Sequence, residues 1–341
     1  MANLSYAVPG LVLGPGSGFS QEVQDFQRDL RSLGYIAGPI DGQFGNGTAL
    51  AVAALIYDLQ NYDGSGTDGD APVAIKKYNQ GSLTGQADQA LVTCIAAMLD
   101  DDSYPKLPAS GDPAGDNLRA LTAIQAMPNP GVPLPYLLAI VNQESAMRHY
   151  QVPTRGNIDN FVTIGLDRND PNNPARITSR GHGIGQYTLF HHPPTADEVQ
   201  SFILDPVKNV SKTISEMTDK FANYVLGPTA SQVADDRVAE YGHAALNPCK
   251  YPQGDSRFQA DCVNCLKSAP PVTITSGTTL WYEGASGTYA RTQYHVGSYS
   301  NVPQRSKIGC DWPYAARRFN GSGVNSFDYQ AEFLLKVLAQ G

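Results

Sequence analysis

The sequence predicts a mainly α-helical protein, with a small three-helix domain followed by a larger α+β domain that carries a small β-hairpin insertion. Apolar residues recur at helical spacing in several segments, among them 23–33 and 137–144. One stretch, 271–295, instead alternates in the manner of a β-hairpin with glycine-rich turns. The length of 341 residues is enough for two or three domains.

The first domain is expected at residues 20–100, after an N-terminal extension at 1–19. Ser20 is a good N-cap, because its hydroxyl can accept a hydrogen bond from a backbone N–H of the first helical turn. Gly34 fits the end of this helix, where a left-handed residue is common. An apolar stripe is formed between them by Val23, Phe26, Leu30 and Leu33.

Two further helices complete this predicted domain. Asp41 and Gly42 are typical of a tight turn. Thr48 then caps a second helix over 49–60. A third helix is expected near 86–99, with its apolar residues turned inward. The three helices together indicate a compact unit.

The segment 101–116 is acidic and rich in proline, glycine and serine, and we expect it to be a linker. The second domain then covers 117–341. Its predicted helices are Leu118–Ala126, Pro135–Met147, Pro206–Leu226, Ser231–Ala245 and Tyr329–Ala339.

Charge and hydropathy exclude several classes of partner. The net charge is −8 and no basic run is present, which argues against binding to nucleic acid or an anionic membrane. No run of eighteen apolar residues occurs, so no membrane span is expected. The N-terminus lacks a positive region, and Pro9 and Gly10 break its short apolar stretch. We therefore expect no standard signal peptide.

The five cysteines fall into two groups. Cys94 lies on an apolar helix face and is expected in the core. The other four bound an insertion at about 246–310 and could form two disulfides or one zinc site. Disulfides are favoured, because only one spacing in this group suits a standard zinc finger. These four residues are Cys249, Cys262, Cys265 and Cys310.

Glu144 is the principal candidate for catalytic chemistry. Leu137, Val141 and Glu144 lie at i, i+4 and i+7, so they share one face of a predicted helix. A carboxyl group on this apolar face should be buried, which raises its pKa toward that of a general acid working near neutral pH. The alternative is a core glutamate satisfied by a hydrogen bond.

The string VQDFQRDLRSLGYIAGPIDGQFGNGTALAVAAL resembles the peptidoglycan-binding repeat of bacterial and phage cell-wall enzymes. The resemblance covers about residues 20–100. It implies a three-helix fold that binds peptidoglycan. Most of its glycines and Asp41 have structural roles in turns.

Three short motifs of the second domain stand in a characteristic order. They are Gln143-Glu144-Ser145, GHGIGQY at 181–187 and RFNGSG at 318–323. This order resembles the lysozyme-like superfamily, especially lytic transglycosylases and goose-type lysozymes. The resemblance implies that Glu144 protonates a glycosidic oxygen. It also implies a substrate-binding set of Ser145, His182, Gly183, Gln186, Tyr187, Phe319 and Asn320.

The resemblance leaves open whether a second carboxylate is needed. An inverting hydrolase would use one to activate water, about 6.5–9.5 Å from the acid. Asp167 is ranked first because Gly165-Leu166 could return its loop to the cleft, and Asp159 is the next candidate. A lytic transglycosylase would need only Glu144. Phe319 departs from the family pattern, because the usual tyrosine would supply a hydroxyl to the glutamate.

The leading hypothesis is a modular enzyme that cleaves the β-1,4 bond between N-acetylmuramic acid and N-acetylglucosamine in peptidoglycan glycan strands, as a muramidase or a lytic transglycosylase. Two alternatives remain: a non-catalytic wall-binding protein and a chitin-type glycosidase. No histidine spacing suits a metal, so no metal and no cofactor are expected.

The biological setting is inferred from the expected substrate. A protein without a standard signal peptide could reach the periplasm or cell wall as a phage lysis protein or as an injected antibacterial effector. An injected effector would imply an immunity or inhibitor protein that plugs its cleft.

Overall fold

The computed structural model describes residues 4–65, 73–128, 130–222, 247–275, 279–280, 292–293, 298–321 and 325–341. The described chain is rich in helix and has small sheets, which confirms the mainly α prediction. It divides into two compact units. Unit 1 comprises Met1–Ile124 and Arg148–Val210, and unit 2 comprises Gln125–Met147 and Ser211–Gly341.

The described part of unit 1 contains four α-helices before its sheet. They are α1 (Gln21–Ser32), α2 (Asn46–Asn61), α3 (Gln89–Asp100) and α4 (Pro113–Gln125). An antiparallel sheet follows in the order β1-β2-β3, formed by Ile164–Asp167, Ser179–His182 and Tyr187–Phe190. A short helix, α6 (Ala196–Glu198), continues into a π-helical turn at Val199–Ile203.

Unit 2 is built around α5 (Leu134–Ser145) and the C-terminal helix α10 (Asn325–Leu338). The remaining helices are α7 (Pro206–Lys220), which begins in the last residues of unit 1, α8 (Cys262–Lys267) and α9 (Trp312–Phe319). Strand β4 (Pro271–Thr275) pairs with β7 (Ser298–Pro303), and β5 (Thr279–Leu280) pairs with β6 (Thr292–Gln293).

Three N-terminal helices form near their predicted positions and are held by one buried glutamine. The predicted cap of α2 is wrong, because α2 begins at Asn46 after Gly45 and Thr48 lies inside the helix. The Ser20 hydroxyl accepts the Val23 N–H at 3.1 Å, so it caps α1. Further along α1, the side-chain oxygen of Gln27, Oε1, accepts the backbone N–H groups of Asp41 at 3.0 Å and Gly42 at 2.8 Å. The Gln27 amide donates to the Thr48 hydroxyl at 3.0 Å. One side chain therefore fixes the turn before α2, which agrees with the structural role predicted for Asp41.

The core of unit 1 combines apolar packing with a buried ion pair. Phe26, Leu30 and Leu55 are completely buried, and burying each such side chain stabilises the fold by about 1.5–3 kcal/mol. Arg180 of β2 donates to Asp58 of α2 at 3.0 Å, and both side chains are completely buried. The ion pair joins two elements more than 120 residues apart in the chain.

The predicted linker at 101–116 is packed. Tyr104 and Leu107 are buried, and Pro113 begins α4 five residues before the predicted helix start. The sequence prediction missed these two buried residues, because the rest of the segment is polar. The compact units also differ from the predicted domains, since 148–210 groups with the N-terminal residues. That residues 20–100 and 117–341 form two domains with separate functions stays a prediction.

Other differences concern short elements. The sheet β1-β2-β3 was not predicted, because each strand has only four residues and β1 and β2 contain glycine. The hairpin predicted at 271–295 is longer, since β4 pairs with a strand ending at Pro303. The helix predicted at 231–245 lies outside the described residues. Among the helices that are described, none is long and apolar enough to cross a membrane.

Candidate functional site

Glu144 lies in the last turn of α5, on the face that packs into unit 2. Leu137 and Val141 of the same face are completely buried. Ala146 ends the helix with a left-handed backbone, φ 52°. The Glu144 side chain is half-buried, so its carboxyl group meets both the protein interior and a route to solvent. The placement agrees with the inward orientation predicted from the sequence.

The hydroxyl of Tyr329 donates a hydrogen bond to Glu144 Oε1 at 2.6 Å. Tyr329 belongs to α10 and is buried. It supplies the hydroxyl that the sequence comparison expected from the position of Phe319. Tyr329 was missed because it lies ten residues beyond the third motif, and nothing local in its sequence points to Glu144.

Residues beside Glu144 and Tyr329 fasten α5 to α10. The Lys336 ammonium donates to Gln143 Oε1 at 2.5 Å, and Gln143 Nε2 donates to Glu332 Oε2 at 3.2 Å. The hydroxyl of Tyr299 in β7 donates to Glu332 Oε1 at 2.9 Å. These contacts hold the helix bearing Glu144 against the helix bearing its donor.

The pKa of Glu144 is raised above its ordinary value. Burial is the largest cause, because it penalises the charged carboxylate. The Tyr329 hydrogen bond and the positive charge of Lys336 act in the opposite direction, and the negative charge of Glu216 raises the pKa further. A carboxyl group in this setting keeps its proton to higher pH, as general acid catalysis requires.

The glycine-rich motif lies in unit 1, at the turn between β2 and β3. Gln186 adopts a left-handed backbone, φ 49°, and donates to the Gly183 carbonyl at 2.8 Å. The Gln186 Oε1 atom lies close against the sheet. A Cβ added to Gly181 would be 2.5 Å from this atom, and one added to Gly165 would be 2.8 Å from it. These glycines therefore make room for the Gln186 side chain.

Two buried polar side chains clamp the same turn. Asn209 accepts the Gly185 N–H at 2.7 Å and donates to the His182 carbonyl at 2.8 Å. His149 Nδ1 accepts the Ile184 N–H at 3.2 Å. The sequence analysis missed Asn209 and His149, because neither belongs to a recognisable motif. They hold the turn through the backbone N–H groups of Ile184 and Gly185 and the His182 carbonyl.

Protonation of the buried histidines should destabilise the protein in acid. Burial lowers the pKa of His149 to about 4 and that of His182 to about 3. Between pH 6.5 and about 4 the unfolded chain binds a proton at each histidine and the folded chain does not, so stability falls as the pH falls through this window. We expect a loss of about 3 kcal/mol or more per histidine by pH 4, measured by urea unfolding at a series of pH values. Protonation of Asp58, whose pKa burial raises to about 6, acts in the opposite direction over part of this window. The histidine contribution is therefore read as the difference in pH dependence between the wild type and His149→Asn, and equal pH dependence of the two would contradict the expectation.

The remaining predicted substrate-binding residues are distributed over both units. Ser145 is buried in unit 2, where its hydroxyl donates to the Val141 carbonyl at 2.9 Å. Phe319 is half-buried and Asn320 is exposed at the end of α9 in the same unit. Tyr187 is buried in unit 1 and stacks on Phe202 at 4.9 Å. Ser145 thus has a local structural bond in addition to its predicted role.

The two predicted second carboxylates lie in unit 1. Asp159 forms a buried ion pair with Arg31 at 2.7 Å. Asp167 is exposed on β1 and accepts a hydrogen bond from the Ser179 hydroxyl at 2.9 Å. Unit 2 contains a further acid, Glu216 on α7, which is half-buried and whose charge acts on Glu144. The sequence analysis did not consider Glu216, because α7 carries none of the motifs.

The N-terminal helices enclose a small groove of about 80 Å³. It is lined by the polar side chains of Gln27, Asp41, Gln43 and Thr48, together with Ile36, Pro39 and three glycines. Since Gln27 fixes the turn that forms its wall, the groove is preformed. It offers amide, carboxylate and hydroxyl groups to a polar ligand.

Four cysteines of unit 2 line one cavity of about 20 Å³: Cys249, Cys262, Cys265 and Cys310. All five cysteines of the chain have free thiols in this structure, and Cys94 is buried in unit 1. Within the described ranges, no three histidine, cysteine, aspartate or glutamate side chains are grouped so as to hold a metal ion.

Residues 19–55 match the peptidoglycan binding domain family. The match includes α1, the turn fixed by Gln27 and the first part of α2, and therefore the residues that line the groove. It supports an N-terminal peptidoglycan-binding domain and association with peptidoglycan. No curated protein and no solved structure matches the chain.

Proposed function

We propose that this protein is a peptidoglycan glycosidase, with Glu144 as its general acid. The substrate is the β-1,4 bond between N-acetylmuramic acid and N-acetylglucosamine. The observation that carries the proposal is the half-buried Glu144 carboxyl group, with a raised pKa and a donor at 2.6 Å, in a chain with a peptidoglycan-binding domain.

The chemistry requires a proton at the leaving oxygen when the glycosidic bond breaks. Glu144 is suited to deliver it, because burial raises the pKa of its carboxyl group above the ordinary value. Once ionised, the carboxylate is stabilised by the Tyr329 hydroxyl and by the charge of Lys336. The same group can therefore act next as a base, for water or for the C6 hydroxyl of the muramic acid residue.

The N-terminal domain would hold the enzyme on its substrate. Binding of the groove to the wall would raise the local concentration of glycan at Glu144 without any new contact at the catalytic site. A wall substrate would place the activity in the bacterial periplasm or cell wall.

A digest of purified peptidoglycan by the wild-type chain tests the proposal. Soluble muropeptides should appear and be identified by mass spectrometry. Products about one water lighter than hydrolytic ones would contain 1,6-anhydro ends, so Glu144 would be the only catalytic carboxylate needed. Reducing ends would indicate hydrolysis, and Glu216 would then be the first residue of unit 2 to test as the base.

A non-catalytic wall-binding protein is the alternative reading. It would sediment with insoluble peptidoglycan and release no muropeptide under any condition. That result would reject the glycosidase and keep the binding function. A parallel digest of chitin separates the two glycosidase substrates.

Replacing Tyr329 with phenylalanine should shift the pH dependence of cleavage. The hydroxyl stabilises the charged form of Glu144, so its loss raises the Glu144 pKa still further. An acid that keeps its proton longer is active to higher pH, so the alkaline limb of the rate profile should move up. Glu216→Gln should move that limb down, because it removes a charge that raises the pKa. Shifts of the same sign in both variants would contradict this account of the site.

A further inference from the structure

We propose that the cysteine cluster of unit 2 oxidises to two disulfides, Cys262–Cys310 and Cys249–Cys265. The four thiols line one cavity although they come from three separate places in the chain, the loop at 249, α8 and position 310, two residues before α9. The structure represents the reduced form. The inference does not depend on the glycosidase activity.

The backbone holds these three places together. The Asn247 N–H donates to an Asp311 carboxylate oxygen at 2.7 Å, and the Asp311 N–H donates to the Asn247 carbonyl at 2.7 Å. A Cβ on Gly309 would lie 2.7 Å from the Lys250 side chain, so the two segments touch. The Tyr136 hydroxyl of α5 lies 3.3 Å from Cys310 Sγ. The thiols are thus brought together by packing that exists before oxidation.

Helix geometry decides against a bond within α8. Cys262 and Cys265 are i and i+3 of one helix, where Cβ atoms lie about 5–6 Å apart. A disulfide needs about 3.5–4.5 Å between its Cβ atoms. A bond between them would distort the first turn of α8, whereas bonds to Cys249 and Cys310 leave the helix regular.

Two pairings remain, and we choose the one that joins thiols of similar burial. Cys262 and Cys310 are buried, whereas Cys249 and Cys265 are half-exposed. Both Cys262 and Cys249 contact the backbone of Gln259. The Cys262 thiol donates to the Gln259 carbonyl, and Cys249 Sγ accepts the Gln259 N–H.

The oxidant would be a small-molecule disulfide such as oxidised glutathione. An accessible thiolate, of Cys249 or Cys265, attacks it, forms a mixed disulfide and releases one reduced thiol. The partner thiolate then displaces the second reduced thiol and closes the Cys249–Cys265 bond. The buried pair forms by exchange within the cluster: the Cys262 thiolate attacks Cys249 and releases Cys265, and Cys310 then attacks Cys262 and releases Cys249. A second oxidant disulfide closes Cys249–Cys265 again. Each bond formed in the protein consumes one oxidant disulfide and yields two small thiols.

Counting thiols in the full chain after equilibration with oxidised glutathione tests the proposal. Alkylation in denaturant without reductant should label one cysteine, Cys94, and reduction should expose all five. The intact oxidised chain should be about 4 Da lighter than the reduced one, because each disulfide removes two hydrogens. The Cys94→Ser variant is the matched control and should show no labelled cysteine. Five labelled cysteines would overturn the proposal, with or without one bound zinc per chain.

Peptide mapping tests the pairing. Trypsin places Cys262 and Cys265 on one peptide, 258–267, which should be linked to both 238–250 and 308–317. An internal disulfide in peptide 258–267, together with a separate disulfide between peptides 238–250 and 308–317, would reject the proposed pairing. Cys310→Ser should free Cys262 for labelling together with Cys94; release of Cys249 or Cys265 instead would overturn the assigned pairs.

Discussion

Replacing Glu144 with glutamine should lower the rate of muropeptide release by about 10²–10⁴-fold, the usual contribution of a positioned general acid. The amide has the shape of the carboxyl group and can still accept the Tyr329 hydrogen bond, but it has no proton to donate to the leaving oxygen. The α5 helix should keep its place, because Leu137 and Val141 supply its buried contacts. The rate is measured by release of soluble muropeptides from purified sacculi.

Asp255→Asn is the matched control. Asp255 belongs to the same unit, and its carboxylate accepts hydrogen bonds from Arg257, at 3.0 Å from Nε and 2.8 Å from Nη2, rather than from a residue beside Glu144. It should release muropeptides at a rate close to that of the wild type. A thermal melt shows whether both variants are folded. A folded Glu144→Gln variant with full activity would show that another group supplies the proton.

The second large effect is expected at the ion pair between Asp58 and Arg180. Arg180→Met should lower the free energy of unfolding by about 3–5 kcal/mol, because it leaves Asp58 buried without its counter-charge. The Tyr35 hydroxyl would still donate to Asp58, at 2.9 Å. Burial already raises the pKa of Asp58 to about 6, so its charged form is costly even with the arginine present. Urea unfolding measures the change.

A surface pair provides the comparison. Lys77 lies 3.2 Å from Asp101, and both side chains are partly exposed. Lys77→Met should therefore cost under about 1 kcal/mol. The double variant Asp58→Leu with Arg180→Met should be less destabilised than Arg180→Met alone, because no unpaired buried charge remains. Equal losses for Arg180→Met and Lys77→Met would show that burial of the pair contributes little.

Local patterns in the sequence predicted the features that depend on near neighbours. The apolar stripe and the serine cap gave α1, and the match at 19–55 supports the peptidoglycan-binding domain that was inferred from the same residues. The face shared by Leu137 and Glu144 gave the inward orientation of the carboxyl group. Such features follow from helical periodicity and capping, in which the interacting residues are three or four positions apart.

The residues that complete the candidate site depend on contacts between distant parts of the chain. Tyr329 is 185 residues from Glu144, and no periodicity relates the two positions. Asp159, a candidate second carboxylate from its position in the sequence, is paired with Arg31. Glu216 was not considered, although its charge acts on Glu144. The sequence by itself determined the helices, the inward carboxyl group and the wall-binding domain, because these need only local spacing. Tertiary packing alone decided which donors and charges surround that carboxyl group, because these groups meet only when separate helices pack together.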